Sequence, residues 1–278
     1  MTSSVKILNV DVPINIHAVA GFTAGFVSSS VLYPLEIVKS RFQVGTHGNF
    51  SYKSTFSALS TIYKNSGIRE LYRGFPAGLV GSSFSWGIYF YLYNHCKVVL
   101  SEFRGVAVPG PIEHWSSSLL ASLAVQTLLC PLWVIKLNQQ LGQSGSFFTS
   151  GFQLYKSEGV SGLYRGLIPS YWTCSHLAIQ FVIYERLLAE STDPAQVVAA
   201  TVVSKSVATI ITSPIEVVKV SLRSNTVSVS STARSIMTDI YKAEGFRGFY
   251  RGVSTALIRI LPGQCLTFLV YEQVKLLL

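Results

Sequence analysis

The sequence predicts an all-α membrane protein of six transmembrane helices built as three repeats. Three observations carry this. The chain of 278 residues is 49% hydrophobic and only 13% charged, with a mean hydropathy of +0.41, where a soluble domain has roughly 25% charged residues. Residues 14–33, 74–95, 115–135 and 166–184 contain no Asp, Glu, Lys or Arg, and 194–215 and 252–271 contain only Lys205 and Arg259. Crossing a bilayer takes roughly 20 apolar residues, so these are six spans. The third observation is periodicity. Pro34-Leu35-Glu36-Ile37-Val38-Lys39 recurs as Pro131-Leu132-Trp133-Val134-Ile135-Lys136 and Pro214-Ile215-Glu216-Val217-Val218-Lys219. Each copy ends an odd-numbered span and is followed by a glycine and then an Arg-Gly step: Gly67 and Arg73-Gly74, Gly159 and Arg165-Gly166, Gly245 and Arg251-Gly252. A recurrence of this length is an internal triplication. Repeat one covers 13–104, repeat two 111–190 and repeat three 193–278.

Span 1 covers about 14–43. Gly21 and Gly25 have the spacing of a close helix contact, and Pro34 removes a backbone hydrogen bond and should kink the helix. Residues 52–65 then place Tyr52, Phe56, Leu59, Ile62 and Tyr63 at helical spacing, as in an interfacial amphipathic helix. Segments 147–156 and 232–242 are its counterparts. Span 2, to about 98, is rich in aromatics, among them Trp86, Tyr89, Phe90 and Tyr93. The Gly/Pro-bearing linker 101–112 separates it from span 3, about 113–141, with Pro131 inside. Span 4 covers about 167–189. The junction Ser191–Pro194 starts span 5, about 194–223, with Pro214 inside. The Ser/Thr-rich stretch 224–233 reads as loop. Span 6 covers about 252–277.

Topology follows from the basic residues. Fifteen of the 22 lysines and arginines lie between spans 1 and 2, 3 and 4, or 5 and 6, which makes that face the positive-inside face and puts both termini on the other. The net charge of +9 flanks spans rather than forming an aromatic-interleaved soluble patch, so nucleic acid is not implied. The charge fits topology and lipid headgroups, and also an electropositive path for an anionic solute. The sequon at Asn49 falls on the basic face, where glycosylation is not expected. Cys96, Cys130, Cys174 and Cys265 have no metal-ligand spacing and read as small apolar residues. Residues 1–12 lack a signal or Arg-rich transit pattern.

Three proline–acid–base motifs in register, each after an apolar span, resemble the mitochondrial carrier family over essentially the whole chain. Within it, Ser85–Phe90, Pro131–Val134, His176, Gln180–Phe181, Ser204-Lys205, Leu257–Arg259 and Thr267-Phe268 resemble the branch that carries FAD, folate, NAD and pyrimidine nucleotides, the flavin carriers above all. The resemblance implies one carrier domain: six helices with threefold pseudosymmetry around a central cavity, short matrix-side amphipathic helices and alternating access in the mitochondrial inner membrane. It also implies a monomeric unit, both termini in the intermembrane space and cardiolipin at the matrix-side helix ends. It further implies two sets of ion pairs. At the matrix gate Glu36 meets Lys136 and Glu216 meets Lys39, with Gln43 and Gln140 as braces. Trp133 replaces the second acid, so Lys219 lacks a partner. At the cytoplasmic gate Glu185 meets Lys275 and Glu272 meets Lys97, while Asn94 and Leu188 have lost both charges together.

Helical geometry adds to this. Lys205 lies eleven residues before Glu216, three turns plus about 20°, and so shares its face. Trp86 stands in the same relation to Lys97. An intramembrane cation is a functional candidate by default, so Lys205 and Arg259 are expected to attract the phosphates or carboxylates of an anionic solute. Trp86 offers a flat surface to a ring system, and Thr173 and His176 join the site by resemblance. No acid–base dyad, nucleophile–histidine pair or phosphate-cradling glycine loop is present, so neither catalysis, a metal nor a bound cofactor is expected, and FAD is the expected cargo. Folate, NAD and pyrimidine nucleotides are the alternatives, followed by a proton or fatty-acid leak, or a non-transporting adaptor of the same fold.

Overall fold

The computed structural model describes residues 14–45, 52, 54–103, 110–142, 145–188, 194–227 and 231–277. The Asn49 sequon, residues 1–12, the centre of the 101–112 linker, Ser191–Asp193 and residues 228–230 lie outside them. Ten α-helices follow in order: α1 (Ile14–Val44), α2 (Thr55–Leu71), α3 (Phe75–Phe103), α4 (Pro111–Gln140), α5 (Phe147–Leu163), α6 (Leu167–Thr173), α7 (Ser175–Leu187), α8 (Pro194–Arg223), α9 (Ala233–Glu244) and α10 (Val253–Leu277). No strand occurs among the described residues. The six spans are α1, α3, α4, α6 with α7, α8 and α10. By length and hydropathy alone four helical stretches among the described residues qualify, within α1, α4, α8 and α9–α10. In α3 serine, tyrosine and tryptophan lower the hydropathy, and the fourth span is divided.

That division corrects the single helix expected over 167–189. The helix stops at Thr173 and restarts at Ser175. Three consecutive side chains bond back to carbonyls there: Thr173 and Cys174 to Ser170 O, and Ser175 to Trp172 O. Such bonds compete with the backbone ladder and bend helices. Pro34, Pro131 and Pro214, by contrast, lie inside helices that continue through them. The Gly21/Gly25 pair does not mark a close helix contact either. A methyl at either position would meet nothing within 4 Å, and Phe22 and Phe26 beside them are exposed.

The short helices on the basic face are longer than their sequence pattern suggested. α2 and α5 each continue past a glycine with positive φ, Gly67 and Gly159, and α9 passes at Gly245 into the 3₁₀ turn Gly245–Tyr250. Each unit ends at a second positive-φ glycine: Gly74, Gly166 and Gly252. These three express the threefold symmetry directly. A Cβ at Gly74 would sit 3.2 Å from Lys136 O, at Gly166 3.0 Å from Lys219 O, and at Gly252 3.1 Å from Lys39 O. Each repeat is thus seated on the motif lysine of the next, in a closed cycle. Gly252→Ala should lower the unfolding temperature by about 2–8 °C, because an L residue in this region costs roughly 1–2 kcal/mol and each kcal/mol moves the midpoint by about 2–4 °C. Gly67→Ala carries only the dihedral cost, since a methyl there has no neighbour within 4 Å. Thermal unfolding in detergent should therefore rank the Gly252 variant as the less stable.

The arginines next to these glycines pair with glutamates, Arg165 with Glu158 at 2.6 Å and Arg251 with Glu244 at 2.7 Å. Repeat one solves the same problem differently. Ser66 stands where Glu158 and Glu244 stand, and Glu70 takes over, pairing with Arg73 at 3.1 Å and also with Arg41. The positions equivalent to Glu70 are Gly162 and Gly248. A methyl at Gly162 would collide with the Glu158 side chain, and one at Gly248 with Ile240 and Glu244. An acid fits at one of the two places in a repeat, not at both. These pairs also cap helix ends. Arg251 donates to Val44 O of α1, Arg165 to Ser224 O beyond α8, and Arg41 to Gln140 O of α4.

Candidate functional site

The ends of α1, α4 and α8 converge at the basic face, where Val44, Leu137 and Val220 form an apolar plug. Next to it, on the inner side, lie the motif charges. Lys136 Nζ is 2.6 Å from Glu36 Oε1, and Lys39 Nζ is 2.8 Å from Glu216 Oε2. The acid two residues after one proline therefore meets the base five residues after the proline of the next repeat. Gln140 donates to Glu36 at 3.3 Å and to the Tyr33 hydroxyl at 3.0 Å, and Gln43 donates to Glu216 at 3.2 Å. Trp133, in the acid place of repeat two, lies under the Lys136 ammonium, 5.1 Å from ring centre to nitrogen, a cation–π distance.

Two cations depart from the sequence expectation. Lys219 is not without a partner: it reaches Glu216 Oε1 of its own helix at 3.3 Å, one turn away. Arg259 pairs with Glu36 Oε2 at 3.1 Å. Each of the two carboxylates thus serves two cations, Glu36 holding Lys136 and Arg259, and Glu216 holding Lys39 and Lys219.

Above this floor opens a cavity of about 390 Å³ between α1, α6, α7, α8 and α10. It brings together Glu36, Lys39, Thr173, His176, Lys205, Glu216, Lys219 and Arg259. Four cations face two carboxylates, so the wall carries an excess of two positive charges. Lys205 has no ion pair among the described residues. His176 Nδ1 shares a hydrogen bond with the Thr212 hydroxyl at 2.9 Å. The cavity also contains polar residues that the sequence did not single out, Ser28, Thr209, Thr212 and Gln264, together with Thr267 of the resembling stretches. The signal was present. Positions 205, 209, 212, 216 and 219 form one continuous stripe on α8 at the three- and four-residue steps of a helix face.

Trp86 is not on this wall. It is 62% exposed and stacks on Phe90 with ring centres 5.7 Å apart. Its expected orientation was referred to Lys97, and the Lys97 ammonium lies over the Tyr93 ring, 5.5 Å from its centre. Tyr93 in turn bonds His114 of α4. The repeat places Trp86 more directly. Gln264, on the cavity wall, lies twelve residues after Gly252, and Trp86 lies twelve after Gly74. Trp86 thus occupies the pseudo-threefold counterpart of a cavity position, on the side where α3 has few contacts with α1.

At the end of the bundle opposite the basic face, the expected pairs are not made. Among the described residues no ion pair joins Glu185 to Lys275 or Glu272 to Lys97. One set of charges is paired and the other is apart, an arrangement closed at the basic face.

The comparisons with known proteins agree with this architecture. The family model described as "Mitochondrial carrier protein" matches three times, over residues 11–104, 108–193 and 190–278. The chain is 33% identical to "Folate transporter 1, chloroplastic" of Arabidopsis thaliana, over 94% of this chain and 95% of that protein. It is 31% identical to "Nicotinamide adenine dinucleotide transporter 2, mitochondrial" of the same plant, over 92% and 77%. It is likewise 31% identical to "Mitochondrial nicotinamide adenine dinucleotide transporter 1" of Saccharomyces cerevisiae, over 92% and 75%.

Proposed function

Because the chain belongs to the mitochondrial carrier family, whose members are transporters, we propose that it carries an anionic, cofactor-sized metabolite of the FAD, folate or NAD kind by alternating access. The membrane is the mitochondrial inner membrane, with the basic face toward the matrix and both termini in the intermembrane space. FAD is favoured by the motif stretches of the sequence, and folate and NAD by the relatives' names. The observation that carries the reading is Lys205, a cation inside a membrane helix, on a cavity wall, with no carboxylate of its own. An unpaired charge at that depth is costly, and an anionic solute offsets the cost. The cavity lies at the small end of the range for ligand sites, roughly 300–1,000 Å³. It suits the phosphate or carboxylate end of such a cofactor, with hydrogen bonds from Thr173 and His176, while the ring system lies nearer the mouth beside Trp86. The paired floor is the matrix gate, and the separated Lys97, Glu185, Glu272 and Lys275 form the cytoplasmic gate of the other state.

The test is uptake into proteoliposomes holding the purified protein, with FAD, FMN, folate, NAD and UTP offered in parallel. Saturable uptake of at least one is expected, and Lys205→Ala and Arg259→Ala should each reduce its kcat/KM at least tenfold, in line with roughly 1.5–3 kcal/mol for a hydrogen bond to a charged group. No uptake of any of the five by folded protein would overturn the proposal.

A further inference from the structure

We propose that Lys219 is a substrate-binding cation at the floor of the cavity rather than a gate residue, and that Trp133 is what released it for this use. The inference rests on the transport reading above and adds a residue to its site. The two gate pairs follow one rule: the residue two after a proline meets the residue five after the next repeat's proline. Applied to the remaining pair, the rule sets position 133 against Lys219. Trp133 carries no charge, and its ring is engaged with Lys136 of its own helix instead. Among the described residues Lys219 therefore makes no pair across the gate. Its contact with Glu216 stays within α8, at 3.3 Å, while the same carboxylate holds Lys39 more closely at 2.8 Å and accepts from Gln43. The ammonium also points to Thr173 Oγ1, at 3.5 Å, on the facing wall of the cavity. A cation that takes the second share of one carboxylate and leans toward a hydroxyl is poised for an incoming anion.

The consequence for the substrate is specific. Lys205 and Lys219 lie on the same stripe of α8, fourteen residues and about 21 Å apart along the axis. Cations at both depths favour an elongated polyanion over a compact monoanion. With an anion seated on Lys219, the charge missing from the floor is supplied by the cargo.

The experiment compares wild type, Lys219→Gln, Trp133→Glu and Trp133→Gln. Uptake of FAD, folate and NAD is measured in proteoliposomes, and thermal protection by inorganic pyrophosphate is measured on the same four proteins in detergent. Lys219→Gln should raise KM for the transported anion about tenfold while the maximal rate changes less than threefold. Trp133→Glu should raise KM about tenfold relative to Trp133→Gln, because the new carboxylate takes Lys219. A gate role would instead have Trp133→Glu complete the third pair and change the maximal rate at constant KM, and that outcome overturns the inference. If wild type transports none of the three, the transport reading loses its support and pyrophosphate decides the anion site. Protection present in wild type and lost in Lys219→Gln and Trp133→Glu supports it; equal protection in all four proteins, or none in wild type, overturns it.

Discussion

Glu36→Gln should abolish uptake and lower the unfolding temperature in detergent by about 6–12 °C. Glu36 holds Lys136 at 2.6 Å and Arg259 at 3.1 Å, with Gln140 donating to it as well. An amide of the same shape leaves both cations without their carboxylate. Breaking a buried ion pair from one side costs roughly 3–5 kcal/mol. The lower figure applies here, since the Glu36 side chain is 28% exposed to the cavity. At about 2–4 °C per kcal/mol this gives the stated shift. The same loss weakens the state closed at the basic face, and each 1.4 kcal/mol moves the balance of the two access states about tenfold. The charge-swapped double variant Glu36→Lys/Lys136→Glu should not restore uptake, because Arg259 would then face Lys rather than Glu at position 36. Recovery of wild-type uptake by the swap would show that Arg259 does not depend on Glu36.

Arg259 also shows where the sequence stopped being legible. The Glu36–Lys136 and Glu216–Lys39 contacts could be written down from the motifs because triplication makes the pairing cyclic and position alone fixes the partners. Arg259 lies outside the tripled proline motif, a straight helical wheel does not seat it, and Pro262 lies three residues on, so its partner was visible only in three dimensions. Lys205 was placed from its eleven-residue spacing to Glu216, because α8 is regular between them and Glu216 does face the interior. The same spacing puts Trp86 on the face of Tyr93 and Lys97, but no residue of α3 lines the cavity, so that face alone did not place it on the wall. The break at Cys174 carried no proline or glycine to announce it. It arises from the hydroxyls and thiol of residues 173–175 turning on their own backbone. The six spans were legible throughout, because length and apolarity are summed over some twenty residues and tolerate local irregularity.

The asymmetry of repeat one was hidden for a related reason: aligning the repeats on their glycines marks Ser66 as a missing acid but does not reveal that Glu70 replaces it. Glu70→Ala should lower the unfolding temperature by about 6–12 °C, by the same arithmetic, because Glu70 holds both Arg41 and Arg73. The Arg41 side chain is only 7% exposed and also donates to Gln140 O of α4, so the defect reaches the contact between repeats one and two. The other repeats suggest the rescue. Placing their arrangement in repeat one, Ser66→Glu with Glu70→Gly, returns a carboxylate to Arg73 in the way Glu158 serves Arg165. It does not restore the Glu70 contact to Arg41, and about half of the loss should be recovered. Seven residues after their prolines, repeats two and three have Asn138 and Ser221 where repeat one has Arg41. Adding Arg41→Asn removes the cation that Glu70 was there to hold, and the triple variant should unfold within about 3 °C of wild type, a difference of roughly 1 kcal/mol. A triple variant no more stable than Glu70→Ala would mean that Glu70 is held in place by something other than its two arginines. Full recovery would mean that Arg41 and Glu70 form a self-contained pair inserted into a threefold plan that functions without it in the other two repeats.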